Sequence, residues 1–426
     1  MYTANLSGTK AGHYTVIPEY DSQPLTGLHV EATLTAGDMD GAQSVFMASG
    51  SSTVPADDSS TVTLQFTAKD MNGNPVTGLT SLLAFTVVDN ESHPVSSPAV
   101  TVGAATEGND GIYTANLKGQ KAGEYTVTVL YNGSPVDDVQ GIKVTLTAGE
   151  VDKAFSTLTL PGAGSALADG AAPVALQFMA RDVNNNPVTD QAAKVTFRVM
   201  DRNAPVTDGS VTVDAATESS TGVYTANLKG KKAGEYTVAV LYDGDPVGVP
   251  DVHVTLTAGD MDAVHSSFAS TGSSTATADG NATVVLQFTA NDMNNNPVAG
   301  QEAKVTFRVL NAENHPVTDG SVTVDAATES PPGVYTANLK GTKAGEYTAT
   351  VLYDGDPVGM PDVQVTLTAG DADTGQSGIE LPDGETTIAD GATSVTLRLT
   401  AKDVNGNLVT GQASKVTFSV PDNSDV

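Results

Sequence analysis

Asp182, Asn184 and Asn186 stand at alternating positions in Asp-Val-Asn-Asn-Asn-Pro, and no other grouping in this chain looks more like a ligand set. Oxygen ligands two residues apart open a calcium loop of the EF-hand kind, in which a bidentate Glu must follow eleven positions after the Asp. Position 193 is Ala, so that loop is not completed. The same residues also make turns, because Asn and Asp side chains bond their own backbone. A wider acidic grouping is expected at one end of one repeat: Asp260, Asp262, Asp292, Asn294, Asn296, Glu329, Asp354 and Asp356. An interdomain calcium ion held there would stiffen a rod; the alternative is solvated loops and no cofactor. A rival arrangement sets those carboxylates against Lys229, Lys231 and Lys232 on the facing loop of the preceding repeat. Exposed ion pairs of that kind contribute about 0–1 kcal/mol each.

No other chemistry emerges. Cys is absent, which removes disulfides, thiolate metal sites and cysteine nucleophiles together. The histidines are His13, His29, His93, His253, His265 and His315, and only His93 and His315 occupy matching positions, in separate repeats. They form no metal spacing and no His-Asp-Ser constellation. No serine sits in Gly-x-Ser-x-Gly, and no phosphate loop or dinucleotide fingerprint occurs. The expected site list is therefore empty: no catalytic, cofactor-binding or metal-ligating residue, and no enzyme.

The turn recurs because the whole chain recurs. Tyr2, Tyr113, Tyr224 and Tyr335 each open Tyr-Thr-Ala-Asn-Leu at a spacing of 111 residues. Tyr14, Tyr125, Tyr236 and Tyr347 form a second set, and Tyr20, Tyr131, Tyr242 and Tyr353 a third, which together use all 12 tyrosines. A period of domain length means an array of similar domains. A residue present in every copy is there to build the copy.

The elements that position these residues read as strands. In residues 150–259, Val174, Leu176 and Phe178 alternate with Ala175, Gln177 and Met179, the period of two that marks a half-buried strand. Val195, Phe197 and Val199 follow the same rule, as do Tyr236 to Tyr242 and Val252 to Leu256. Shorter strands fit residues 156–160, 210–214 and 222–228, with turns at Ala168-Asp169-Gly170, residues 182–187 and residues 243–246. A one-residue length difference between 201–205 and 311–316 supports a further turn there. No helical period runs far enough to matter. Seven short strands in about 110 residues predict an immunoglobulin-like β-sandwich, so the fold class is all-β: tandem sandwiches arranged as an elongated rod.

Within that fold Tyr236 falls at the entry to the sixth strand, where a tyrosine hydrogen-bonds back across the corner. The phenylalanines match in sets as well: Phe46 with Phe155 and Phe268, Phe66 with Phe178 and Phe288, and Phe85 with Phe197, Phe307 and Phe418. That matching uses all 10 and leaves no spare aromatic for a pocket or a stacking platform.

The tag Leu-Thr-Ala-Gly closes copies at Gly37, Gly149, Gly259 and Gly370. Five segments follow: residues 1–37 as the C-terminal part of a truncated domain, complete domains at 38–149, 150–259 and 260–370, and 371–426 as the N-terminal part of another. Met1 stands where other copies have Ile112, Val223 and Val334, which predicts a reading frame that continues upstream.

Fifty acidic against 20 basic residues, a net charge of −30, oppose binding to phosphate backbones and anionic lipid. No nucleic-acid partner is expected. No apolar stretch reaches the roughly 20 residues of a membrane-crossing helix, so no direct membrane insertion is expected of this fragment.

The order Ala168-Asp169-Gly170, then residues 182–188, then Lys-Val-Thr-Phe at 194–197, then Lys-Ala-Gly-Glu-Tyr-Thr at 232–237 resembles the bacterial immunoglobulin-like domain, group 1, of the intimin and invasin family of Gram-negative surface adhesins. Agreement is looser at Ala56-Asp57-Asp58, and Leu408 replaces the turn proline in the last copy. The resemblance implies a non-catalytic stalk at the cell surface. In that family an outer-membrane barrel anchors the protein and tandem sandwiches carry an adhesive tip, and neither anchor nor tip is visible here. Its implied partners are neighbouring Ig-like repeats and a host cell-surface receptor of the parent protein. Three copies would span on the order of 100 Å. Two other readings remain: the sandwiches themselves bind a host protein or glycan, or they are accessory modules of a secreted enzyme.

Overall fold

The computed structural model describes residues 1–420, so the last six residues of the 371–426 segment lie outside the described residues. Strands dominate, and among the described residues the helical elements are three short 3-10 turns at Gly41–Gln43, Ala192–Lys194 and Ala413–Lys415. In the middle copy one sheet runs in the order Thr157–Thr159, Val174–Met179, Val223–Gly230, Val211–Val213. The facing sheet runs Ser165–Leu167, Val252–Thr257, Gly234–Tyr242, Val195–Asp201. The neighbouring copies repeat both sheets. Alternation explains the packing: Val174, Leu176 and Phe178 are buried, and their neighbours Ala175, Gln177 and Met179 face outward. Phe178 and Tyr224 stack with ring centroids 6.5 Å apart, and Phe288 with Tyr335 at 6.2 Å.

The seven expected strands are present within a residue or two. Sequence reading missed Ser165–Leu167, which pairs in parallel with Val252–Thr257 and closes the edge of the second sheet. Three residues are too few to show a period of two.

The corner tyrosines do what the fold requires. Tyr236 donates its hydroxyl to the Lys232 carbonyl at 2.8 Å, and Tyr14, Tyr125 and Tyr347 make the same bond to Lys10, Lys121 and Lys343. A second tyrosine per copy has a different job. The Tyr224 hydroxyl donates to the Val188 carbonyl at 2.8 Å and accepts from the Gln191 amide at 3.1 Å, tying the strand at its back to the segment after the Asn-rich turn.

Surface area reflects the array. A compact globule of 43.3 kDa would expose about 15,000 Å². This chain exposes 24991 Å². Residues 1–37 form only two small antiparallel pairs, Gly12–Val16 with Val30–Leu34 and Glu19–Tyr20 with Gln23–Pro24. Tyr2, which matches the buried Tyr113, Tyr224 and Tyr335, is fully exposed there, and Phe418 is half exposed at the other end.

One expected match fails. Phe46 faces Phe66 and Phe268 faces Phe288, but the residue facing Phe178 is Leu158. Phe155 is 43% exposed and stands outside the strand. The register is set by serines, Ser44, Ser156 and Ser266, which donate to the carbonyls of Lys69, Arg181 and Asn291. Counting from them, Phe155 aligns with Gln43 and His265, so one aromatic is spare after all.

Candidate functional site

The Asp-x-Asn-x-Asn turn lies where one copy meets the copy before it. Its local fold follows from Asp182, whose Oδ1 accepts the backbone amides of Asn184 at 2.9 Å and Asn186 at 2.8 Å. Asn185 takes the left-handed φ of 65° that closes such a turn, a conformation Asn tolerates better than most residues. Pro187 then closes the turn by bridging back to Arg181, with Gly222 packed so close that a Cβ there would sit 2.7 Å from the proline ring. Asp182 is 1% exposed and Asn186 5%.

The remaining polar atoms of the turn reach into the preceding copy. Oδ2 of Asp182 accepts the Gly149 amide at 2.9 Å and the Asn186 side-chain amide at 2.9 Å. Nδ2 of Asn186 also donates to the Gln120 carbonyl at 2.8 Å, and its Oδ1 accepts the Ala122 amide at 2.9 Å. Asn184 donates to the Ala56 carbonyl at 2.7 Å. Three stretches of the preceding copy, near residues 56, 121 and 149, are thus held by one six-residue turn.

Among the described residues the last Asn of the turn clamps each of the other three junctions in the same way. Asn74 pairs with Thr9 and Ala11, Asn296 with Lys231 and Ala233, and Asn407 with Thr342 and Ala344, all at 2.7–2.9 Å. Asn294 and Asn405 reach Ala168 and Ala278. Gly37, Gly259 and Gly370 donate to Asp70, Asp292 and Asp403. The electrostatic consequence is visible in the acids. The Asn74 amide, with the Gly37 N–H beside it, holds the Asp70 carboxyl down to about 2. At Asp292 and Asp403 burial opposes ionisation, and the Asn amide and Gly N–H outweigh it, so both carboxyls lie below the usual range. Hydrogen bonds to a charged group contribute about 1.5–3 kcal/mol each when shielded from water.

This geometry redistributes the expected calcium ligands. The Asp292 oxygens accept four N–H groups, and the Asn294 and Asn296 amides are spent across the junction. Asp262 accepts the Val264 amide and contacts His265 Nδ1 at 2.6 Å; Glu329 accepts the amides of Gly300 and Gly333. Among the described residues no three His, Asp or Glu side chains converge on one point.

The lysines are corrected more sharply. Lys118 pairs with Asp58, Lys229 with Asp214, Lys232 with Asp201 and Lys340 with Asp325, at 3.3–3.8 Å and always within one copy. The loop that carries them does meet the next copy, but through its backbone. With residues 231 and 233 clamped, the long side chains turn back onto their own sheets; Lys231 lies over Gly170. Sequence reasoning found the turn and the facing loop, and it missed the Asn amide that joins them.

Known proteins share these repeats. The family model described as invasin, domain 3, matches three times, at residues 40–149, 152–259 and 262–370. The inverse autotransporter adhesin YeeJ of Escherichia coli K12 is 27% identical over 367 residues, 86% of this chain, and the chain spans 14% of that relative's length. The solved structure of the Escherichia coli adhesin FdeC superposes with a TM-score of 0.50 at 24% identity, covering 79% of this chain and all of that one, and so shares the fold. Invasin, a bacterial integrin-binding protein, gives a TM-score of 0.48 at 23% identity over 84% of this chain and 67% of that one. With three matches over most of its length, the chain belongs to the invasin domain 3 family.

Proposed function

We propose that this chain is a stalk segment of a Gram-negative surface adhesin, made of Ig-like units at 38–149, 150–259 and 260–370 with parts of two more at 1–37 and 371–426. These modules are non-enzymatic. The observation that carries the stalk reading is the junction: the same Asn-to-backbone clamp occurs at four successive boundaries. A binding module needs one distinctive surface, whereas a spacer needs every joint to hold the same angle. Three side-chain bonds at the joints of Asn186, Asn296 and Asn407, and two at that of Asn74, contribute about 0.5–1.5 kcal/mol each and, with the buried Asp–Gly contact, resist bending. The repeats are then one another's partners, and attachment to a host receptor belongs to the parent protein. The place of action is the cell surface, with tethering through another part of that parent. Among the described residues no helix is long and apolar enough to cross a membrane. Small-angle scattering on the whole chain tests the reading: a rod-like pair-distance profile is expected, and a compact globular profile would defeat it.

A further inference from the structure

We propose that the outer face of the middle copy around Phe155, Met179 and Arg181 is a docking site for an extended acidic segment of a protein partner. The starting point is departure from the repeat. Where this copy has Phe155, the others have Gln43, His265 and Gln376; where it has Met179, they have Thr67, Thr289 and Thr400; where it has Arg181, they have Lys69, Asn291 and Lys402. A side chain found in one copy is not required to build the sandwich. Three such changes meet on one surface. Thr157 pairs with Met179. In the following copy the side chain of Asn291, at the position of Arg181, donates to the carbonyl of His265, at the position of Phe155, at 2.9 Å, so the fold sets these two positions side by side.

The chemistry is that of a contact hot spot, an exposed aromatic beside a Met and an Arg. Arg181 is already oriented: its Nε–H points to the Met179 sulfur at 3.3 Å and one terminal N–H donates to the Asn185 carbonyl at 2.9 Å. It forms no ion pair with a carboxylate among the described residues, and its remaining N–H groups are free to take one. The adjoining strand Thr157–Thr159 is the edge of its sheet. An unpaired edge accepts an extended peptide by backbone pairing, and its alternate side chains then lie over this face. The copy that carries this face is the least acidic of the three. Residues 150–259 hold eight basic and thirteen acidic residues, against four and twelve in 38–149 and four and thirteen in 260–370. The site stands independently of the spacer role.

The test selects peptides from a random display library on the immobilised whole chain, then titrates the enriched ones against the whole chain carrying 13C-methyl methionine. Enriched peptides should carry carboxylates and shift the Met179 methyl saturably, leaving the exposed Met71 and Met293 unmoved. Phe155→Gln and Arg181→Asn install residues that sister copies already accommodate; each should weaken binding about tenfold or more with unchanged melting. The proposal falls if nothing enriches, if the enriched peptides lack carboxylates, if Met293 shifts equally, or if the Phe155→Gln chain binds as tightly.

Discussion

Asn186 and Asp182 share a hydrogen bond of 2.9 Å inside a single turn, and through it the carboxylate of one copy is coupled to the backbone of another. The same amide nitrogen that donates to Asp182 Oδ2 donates to the Gln120 carbonyl at 2.8 Å. Turn closure and domain docking therefore use one group. Removing it damages both.

Asn186→Asp tests this coupling with almost no change of shape. The new carboxylate would face Asp182 Oδ2 and the Gln120 carbonyl with no proton to offer, in a site where both side chains are buried. An unpaired buried charge of this kind should cost about 2–4 kcal/mol. Urea melts should show the loss, and trypsin should cut faster after Lys121, whose loop is released from its neighbour.

Calcium should make no difference to melting. Oxygens that already accept N–H groups at 2.8–2.9 Å have no lone pairs directed at a cation. Scans in EDTA and in excess Ca²⁺ should superimpose; a rise in melting temperature with Ca²⁺ would show that the junction rearranges to bind it.

Acid should loosen the junctions within a defined window. Asp70 is held down to about 2, while an unfolded Asp titrates near 3.9. A lowered folded value means that the stabilisation is complete above about 4 and is lost as pH falls through 2. Asp292 and Asp403 shift in the same direction, so their two junctions follow the same course as that of Asp70. Melting temperature should be level from pH 7 to about 5 and drop between about 4 and 2, with scattering curves showing greater flexibility over the same interval.

The buried tyrosines predict the opposite limb. Burial pushes the Tyr335 hydroxyl up to about 12 and raises Tyr113 and Tyr224 as well. With the folded value raised, stabilisation is complete below about 10 and lost as pH climbs through 12. Tyr335→Phe deletes a hydroxyl that donates to Val298 at 2.7 Å and accepts from Gln301 at 3.1 Å. Leaving those two groups without it should cost about 1–3 kcal/mol in a urea melt and remove part of the alkaline transition.

Much of the fold was legible because it rests on local periodicity. Alternation at Val174–Met179 placed a strand, and the repeated Lys-Ala-Gly-Glu-Tyr placed a corner tyrosine that does bond back four residues. The short parallel strand Ser165–Leu167 and the true place of Phe155 were not legible. The first is too brief for any period, and the second was matched by residue type, whereas the fold aligns it by where Ser156 finds its carbonyl.

The amino-acid order alone determined that the chain repeats, that its repeats are β-sandwiches, and that Asp182 to Pro187 is a turn, because each of these is written in residues near one another. Only the tertiary structure decided what the turn is for. The partners of Asn186 lie 64 and 66 residues upstream, and Lys118 beside them pairs with Asp58 of its own copy. A side-chain amide is one group whether it caps its own loop or grips a neighbour's backbone, and distance in space, which sequence does not state, makes the choice.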